Sequence, residues 1–145
     1  MVDEGLILRK LADLEEYLEQ LKEFQGVTLD AYLSDWKTQR IVERTLQMMI
    51  ETCADIAGHI ISDKGFRIPK SYADTFRVLE DNKVIEPDLL QNMVKMSKFR
   101  NVIVHQYDNV DAEIITGILR NNIHDFVEFK DCIVTFLKKE KDRTR

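Results

Sequence analysis

The chain has few of the residues that interrupt regular structure: five glycines and two prolines in 145 positions. That scarcity excludes collagen-like, linker-like and loop-dominated classes. Cysteine is equally sparse. Cys53 and Cys132 lie in apolar helical contexts without the paired spacing of a metal knuckle. They are read as two reduced, buried thiols rather than as a disulfide or a catalytic thiolate. No long apolar run is free of charge, so no membrane-spanning helix is expected. The opening residues "MVDEGLILRK" place acids ahead of any apolar block. A secretory leader begins with cations instead, so a cytoplasmic protein is expected. A basic charge balance is also missing. The net charge is −5, and the last eight residues, "KKEKDRTR", carry five cations and two anions, so the rest is more acidic still. Proteins that hold long nucleic acid nonspecifically are normally basic. If RNA is a ligand, a small local site must meet it, and the charged tail reads as a solvated helix end.

What the sequence does contain is helical rhythm, in a chain that is 44% hydrophobic. That content and length suit one domain, 1–145, with a real core. Residues 5–24 carry Leu6, Ile7, Leu11, Leu14, Leu18, Leu21 and Phe24, mostly three or four apart, which predicts a first helix. "GVTLDAYLSD" breaks it. A long second helix follows, from Asp30 or Ser34 to Ser62. "DKGFRIP" is a loop marked by Gly65 and Pro69, and Ser71 with Asp74 starts a short third helix. Pro87 suits the first turn of a fourth helix ending near Val104, and Asp111 caps a fifth that ends near Lys139. Sustained strand-type alternation, internal repeats and dividing linkers are all absent from the sequence. Long helices on short connections predict an all-α, up-and-down four-helix bundle, with the short helix on one crossover.

Helix four departs from ordinary amphipathic patterning. Leu89, Met93, Met96, Ile103 and Val104 form an apolar stripe, and Arg100 falls inside it. An unpaired guanidinium buried there costs several kcal/mol, roughly, so Arg100 needs a partner. Asn101 and His105, four apart, share a neighbouring face. Arg100 and His105 are five apart, about 140° around a straight helix, and do not converge along it. Three arrangements would bring them together. The helix ends near Val104 and His105 swings round; Arg100 curls back; or two copies of the helix face each other in a dimer. A structural ion pair plus a helix-end histidine is the competing reading, and periodicity does not decide between them. Helix two carries a polar line, Arg40, Arg44, Gln47, Glu51, Asp55 and His59. Most of it reads as a solvated face, with His59 and Asp55 as a surface pair. Part of it facing helix four across a cleft would make Glu51 the partner of Arg100. Tyr107, just beyond His105, either packs over the bundle end or stands exposed beside a site.

"FRNVIVHQY" fits R-x-x-x-x-H-x-Y with Asn after the Arg, and closely resembles the motif of HepT-type HEPN proteins, the toxin halves of HEPN/MNT toxin–antitoxin systems. "VERTLQMMIETCADIAGHII" is similar to that family's long second helix, and "PKSYADTFRVLEDNKVI" to its P-x-S-Y-x-D-x-F-x-x-L segment. "VD" after the motif fits as well. The resemblance spans most of residues 30–111, and no departure from the motif is visible. It implies a homodimeric helical bundle acting as a metal-independent endoribonuclease, without a cofactor, at a cleft shared by two subunits. Arg100 and His105 would be catalytic and Asn101 supporting, with Glu51 behind them. The implied partner is an MntA-type nucleotidyltransferase antitoxin that silences the toxin by moving AMP from ATP to Tyr107. A non-catalytic nucleotide-binding or docking subunit of such a complex is the alternative, and the acidic balance leans toward it.

Overall fold

The fold was obtained as a computed structural model that describes residues 1–105 and 110–143. These residues form seven helices: α1 (Glu4–Lys22), α2 (Leu29–Ser34), α3 (Trp36–Lys64), α4 (Tyr72–Asp81), α5 (Pro87–His105), α6 (Ala112–Asn121) and α7 (Ile123–Arg143). The four long ones close a ring. α1 packs on α3 and α7, and α5 packs on the same two from the other side. α4 bridges the α3–α5 crossover, and α2 lies against α3 and α6. The expected all-α bundle is therefore present. No helix among the described residues is long and apolar enough to cross a membrane.

Side-chain caps set most of the element boundaries. Asp3, Thr28, Asp35, Ser71 and Asp111 each accept a hydrogen bond from a backbone N–H in the first turn of the helix they precede, which satisfies donors that would otherwise have no partner. Two boundaries differ from the sequence expectation. Neither Asp30 nor Ser34 starts the long helix; both belong to the single extra turn of α2. Asp35 breaks the chain there with extended backbone (φ −127°, ψ 99°). Its carboxylate takes N–H bonds from Lys37 and Thr38 and the Thr38 hydroxyl proton at 3.0–3.5 Å, so α3 begins at Trp36. The expected fifth helix is two, parted at Asn122. Its amide donates to the Asp125 carboxylate at 3.3 Å, and Asn92 from α5 donates to the same group at 3.1 Å. A buried Asp125 that draws one partner from the break itself and one from a neighbouring helix outweighs a straight continuation.

α3 stops at Gly65, whose φ of 67° is in the left-handed region that glycine enters without strain. The core runs through Leu46, Met49, Ile50, Ile56, Ile60, Met93, Phe126 and Phe129, all fully enclosed. Phe76 of α4 meets Phe129 of α7 edge to face at 5.9 Å between ring centres. Both cysteines are free, as expected. Cys53 is buried, but Cys132 is only half-buried, because its side of α7 lines a surface pocket against the α4–α5 connection at Lys83, Val84 and Glu86.

Candidate functional site

α5 is one continuous helix through His105, and its apolar side faces α3, α4 and α7. Arg100 sits where that side meets α3 and α4. Its side chain is 17% exposed, so most of it is withdrawn from water. Nε and Nη2 both donate to Glu51 Oε1 of α3, at 3.3 and 3.2 Å. Nη1 donates to Asn101 Oδ1 at 3.2 Å. The guanidinium lies over the Tyr72 ring of α4, with Cζ 4.5 Å from the ring centre, a spacing at which a cation is attracted to the ring's negative face. An arginine has five N–H donors; three are used here among the described residues, leaving one on Nη1 and one on Nη2.

Each partner is itself held in place. Gln47, one turn before Glu51 on α3, donates to the same Oε1 at 2.9 Å, so that oxygen accepts three N–H bonds. Tyr72 is the first residue of α4, and the loop before it is clamped. The Arg67 guanidinium meets both Asp74 oxygens at 2.8 Å, and the Lys70 N–H adds a third bond at 2.9 Å. The Arg67 bonds, then that of Lys70, hold the Asp74 carboxyl well below the usual carboxylate range. The clamp therefore fixes the end of α4 that carries the ring.

The structure thus brings Arg100, Asn101 and Glu51 together. It adds Tyr72 and Gln47, which the sequence reading did not assign to a site. Gln47 was visible in the polar line of helix two and Tyr72 in the P-x-S-Y segment. Neither position signals a guanidinium partner until α4 and α3 are packed on α5. His105 stands apart. It is exposed at the last position of α5, and no hydrogen bond or ion pair joins it to Arg100 among the described residues. Two of the three arrangements considered above are therefore not those seen: α5 does not end before His105, and Arg100 turns toward Glu51 and Tyr72. An Arg100 paired with Glu51 and a His105 at the helix end are features that the catalytic and the structural readings share. Tyr107 lies outside the described residues. His59 and Asp55 do not pair as expected. Asp55 takes Lys10 of α1 at 3.5 Å, because α1 packs along that part of α3. The polar line of α3 is thus divided, its Asp55 end serving α1 and its Gln47–Glu51 part serving α5.

Comparison with known proteins identifies the family. The "Ribonuclease HepT-like" family model matches residues 14–133. The chain is 30% identical to an mRNA nuclease HepT of Shewanella oneidensis over 128 residues, 88% of this chain and 96% of that protein. It is 34% identical to a tRNA nuclease HepT of Aphanizomenon flos-aquae over 112 residues, 76% of this chain and 75% of that one. In shape it is similar to a tri-AMPylated S. oneidensis HEPN toxin solved in complex with its MNT antitoxin, with a TM-score of 0.83 at 30% identity, covering 93% of this chain and 99% of the toxin. A match over most of the chain, in sequence and in fold, places it in the HepT-like ribonuclease family.

Proposed function

We propose that this chain is a cytoplasmic endoribonuclease toxin that cleaves RNA without a metal ion, and that a nucleotidyltransferase antitoxin of the MntA type silences it by attaching AMP to Tyr107. One observation carries the catalytic reading: a largely enclosed guanidinium, oriented by Glu51, Asn101 and Tyr72, retains two N–H donors unused among the described residues, on the helix that ends in an exposed His105. Oriented donors of this kind suit a phosphodiester, whose two non-bridging oxygens the planar guanidinium meets as a fork.

In the reaction, the ribose 2′-oxygen bonds to the adjacent phosphorus as the 5′-oxygen of the next nucleotide leaves. The 2′-hydroxyl gives up its proton and the leaving oxygen gains one, so the products are a 2′,3′-cyclic phosphate and a free 5′-hydroxyl. Imidazoles exchange protons near neutral pH, and His105 serves as the proton carrier. Arg100 holds the phosphate and offsets the extra negative charge of the five-coordinate phosphorus. Asn101 holds one edge of Arg100 and lies one turn from His105. Along one α5, Arg100 and His105 point about 140° apart. In a homodimer the Arg100 of one subunit faces the His105 of its partner across a shared cleft, which removes the mismatch. Silencing joins the Tyr107 phenolic oxygen to the α-phosphorus of ATP and releases pyrophosphate. The added AMP is bulky and anionic, and beside the cleft it excludes RNA by volume and by repulsion.

The test is cleavage of RNA in EDTA by purified, unmodified protein. Arg100→Ala and His105→Ala are each expected to abolish it. Intact RNA after long incubation with verified unmodified dimer would favour the docking-subunit alternative.

A further inference from the structure

Beside the Arg100 centre, α3 and α5 enclose an open groove of about 250 Å³ lined by Arg40, Glu43, Arg44, Gln47 and Ile103. Ile103 stands on α5 between Arg100 and His105 and forms an apolar floor, 6% exposed. Arg44 is exposed and has no ion-pair partner among the described residues. Arg40, one turn earlier, is 64% exposed and only loosely paired with Glu43 at 3.6 Å. Glu43 itself is drawn inward, 14% exposed, and burial raises its carboxyl. The outer wall of the groove is therefore cationic, on a chain whose net charge is −5. The inner end is Gln47, which donates to the Glu51 oxygen that also holds Arg100.

We infer that Arg40 and Arg44 form a phosphate-binding subsite that seats the RNA strand flanking the bond to be cut. It rests on the ribonuclease reading above for the identity of the ligand. Arg44 and Glu51 are seven residues apart on one face of α3, a rise of about 10 Å. A strand entering at Arg44 thus reaches Arg100 by running along the helix. Continuity with the Arg100 centre through Gln47 favours RNA over a protein partner. An acidic toxin also needs some local cationic track to overcome its own repulsion of a polyanion.

The experiment measures binding of a short 2′-O-methyl RNA, which cannot be cleaved, to purified unmodified protein across a salt series. The Arg40→Gln/Arg44→Gln pair is compared with wild type and with Arg120→Gln, an exposed arginine on α6. The double variant is expected to bind at least about tenfold more weakly, and its plot of log affinity against log salt is expected to flatten by about 1.4, since each lost single-strand phosphate contact removes about 0.7. Arg120→Gln is expected to match wild type. Unchanged affinity and slope would overturn the subsite. An equal loss in Arg120→Gln would show general charge attraction and overturn it too. Normal RNA binding with loss of the antitoxin from the complex would reassign the groove to protein docking. Binding is read apart from cleavage. A protein that binds through the groove but cuts nothing would defeat the ribonuclease reading and leave the subsite standing; normal binding and cutting without both arginines would do the reverse.

Discussion

A guanidinium seated over a phenol ring, with three N–H bonds committed to fixed acceptors, has little freedom to turn. In the proposed reaction that restraint matters, because donors set in place beforehand spend nothing on reorganising during it. Arg100→Lys keeps the charge but loses the fork and the flat face, so kcat/KM for RNA is expected to fall by about 100-fold, as for loss of one preorganised donor. Steady-state cleavage checks this, with near wild-type activity contradicting it. At Tyr72 the ring is what counts. Tyr72→Phe is expected to keep activity, while Tyr72→Leu is expected to lose about fivefold, equivalent to about 1 kcal/mol of cation–π attraction. Equal losses in both would assign the role to the hydroxyl instead. Tyr107→Phe is expected to cleave RNA normally yet escape silencing by ATP and the antitoxin, seen as retained cleavage and no mass gain on the toxin.

At the scale of elements, α4 depends on a clamp. Because Arg67 and the Lys70 N–H hold the folded-state pKa of Asp74 below its unfolded value, the clamp's contribution is fully present above the ordinary carboxylate pKa. It is lost as pH falls through and below that value, where the unfolded chain takes up the proton first. Denaturant unfolding from pH 6 down to pH 3 is expected to show a steeper loss of stability for wild type than for Asp74→Asn. Parallel curves would contradict the assignment. Gly65→Ala places a side chain at φ 67° and is expected to cost about 1 kcal/mol in the same assay. Most elements were legible in the sequence because their signals are local. Apolar spacing marks α1, α3 and α5, and Ser71, Asp111 and Gly65 mark ends. The breaks at Asp35 and Asn122 were not, because neither Gly nor Pro marks them. At Asn122 the deciding bond also reaches across from Asn92 on α5.

At the scale of the molecule, the same division explains how much of the site could be read. Arg100 betrayed itself by standing in an apolar stripe, and Glu51 followed as the acid on the facing helix. Tyr72 and Gln47 become site residues only when three helices meet, and no local spacing announces that. In the proposed reaction, a second copy of the chain joins Arg100 to His105. Light scattering is accordingly expected to report a dimer for the purified protein, and a monomer that still cleaved RNA would contradict the shared cleft. Everything proposed for this site turns on metal-independent cleavage by the Arg100–His105 pair. Its most direct test is RNA cleavage in EDTA by wild type, Arg100→Ala and His105→Ala, each confirmed folded by its helical circular dichroism. Wild type is expected to leave 2′,3′-cyclic phosphate ends, and both variants are expected to lose cleavage by at least about 100-fold. Intact RNA with wild type, or undiminished cutting by either variant, would contradict this.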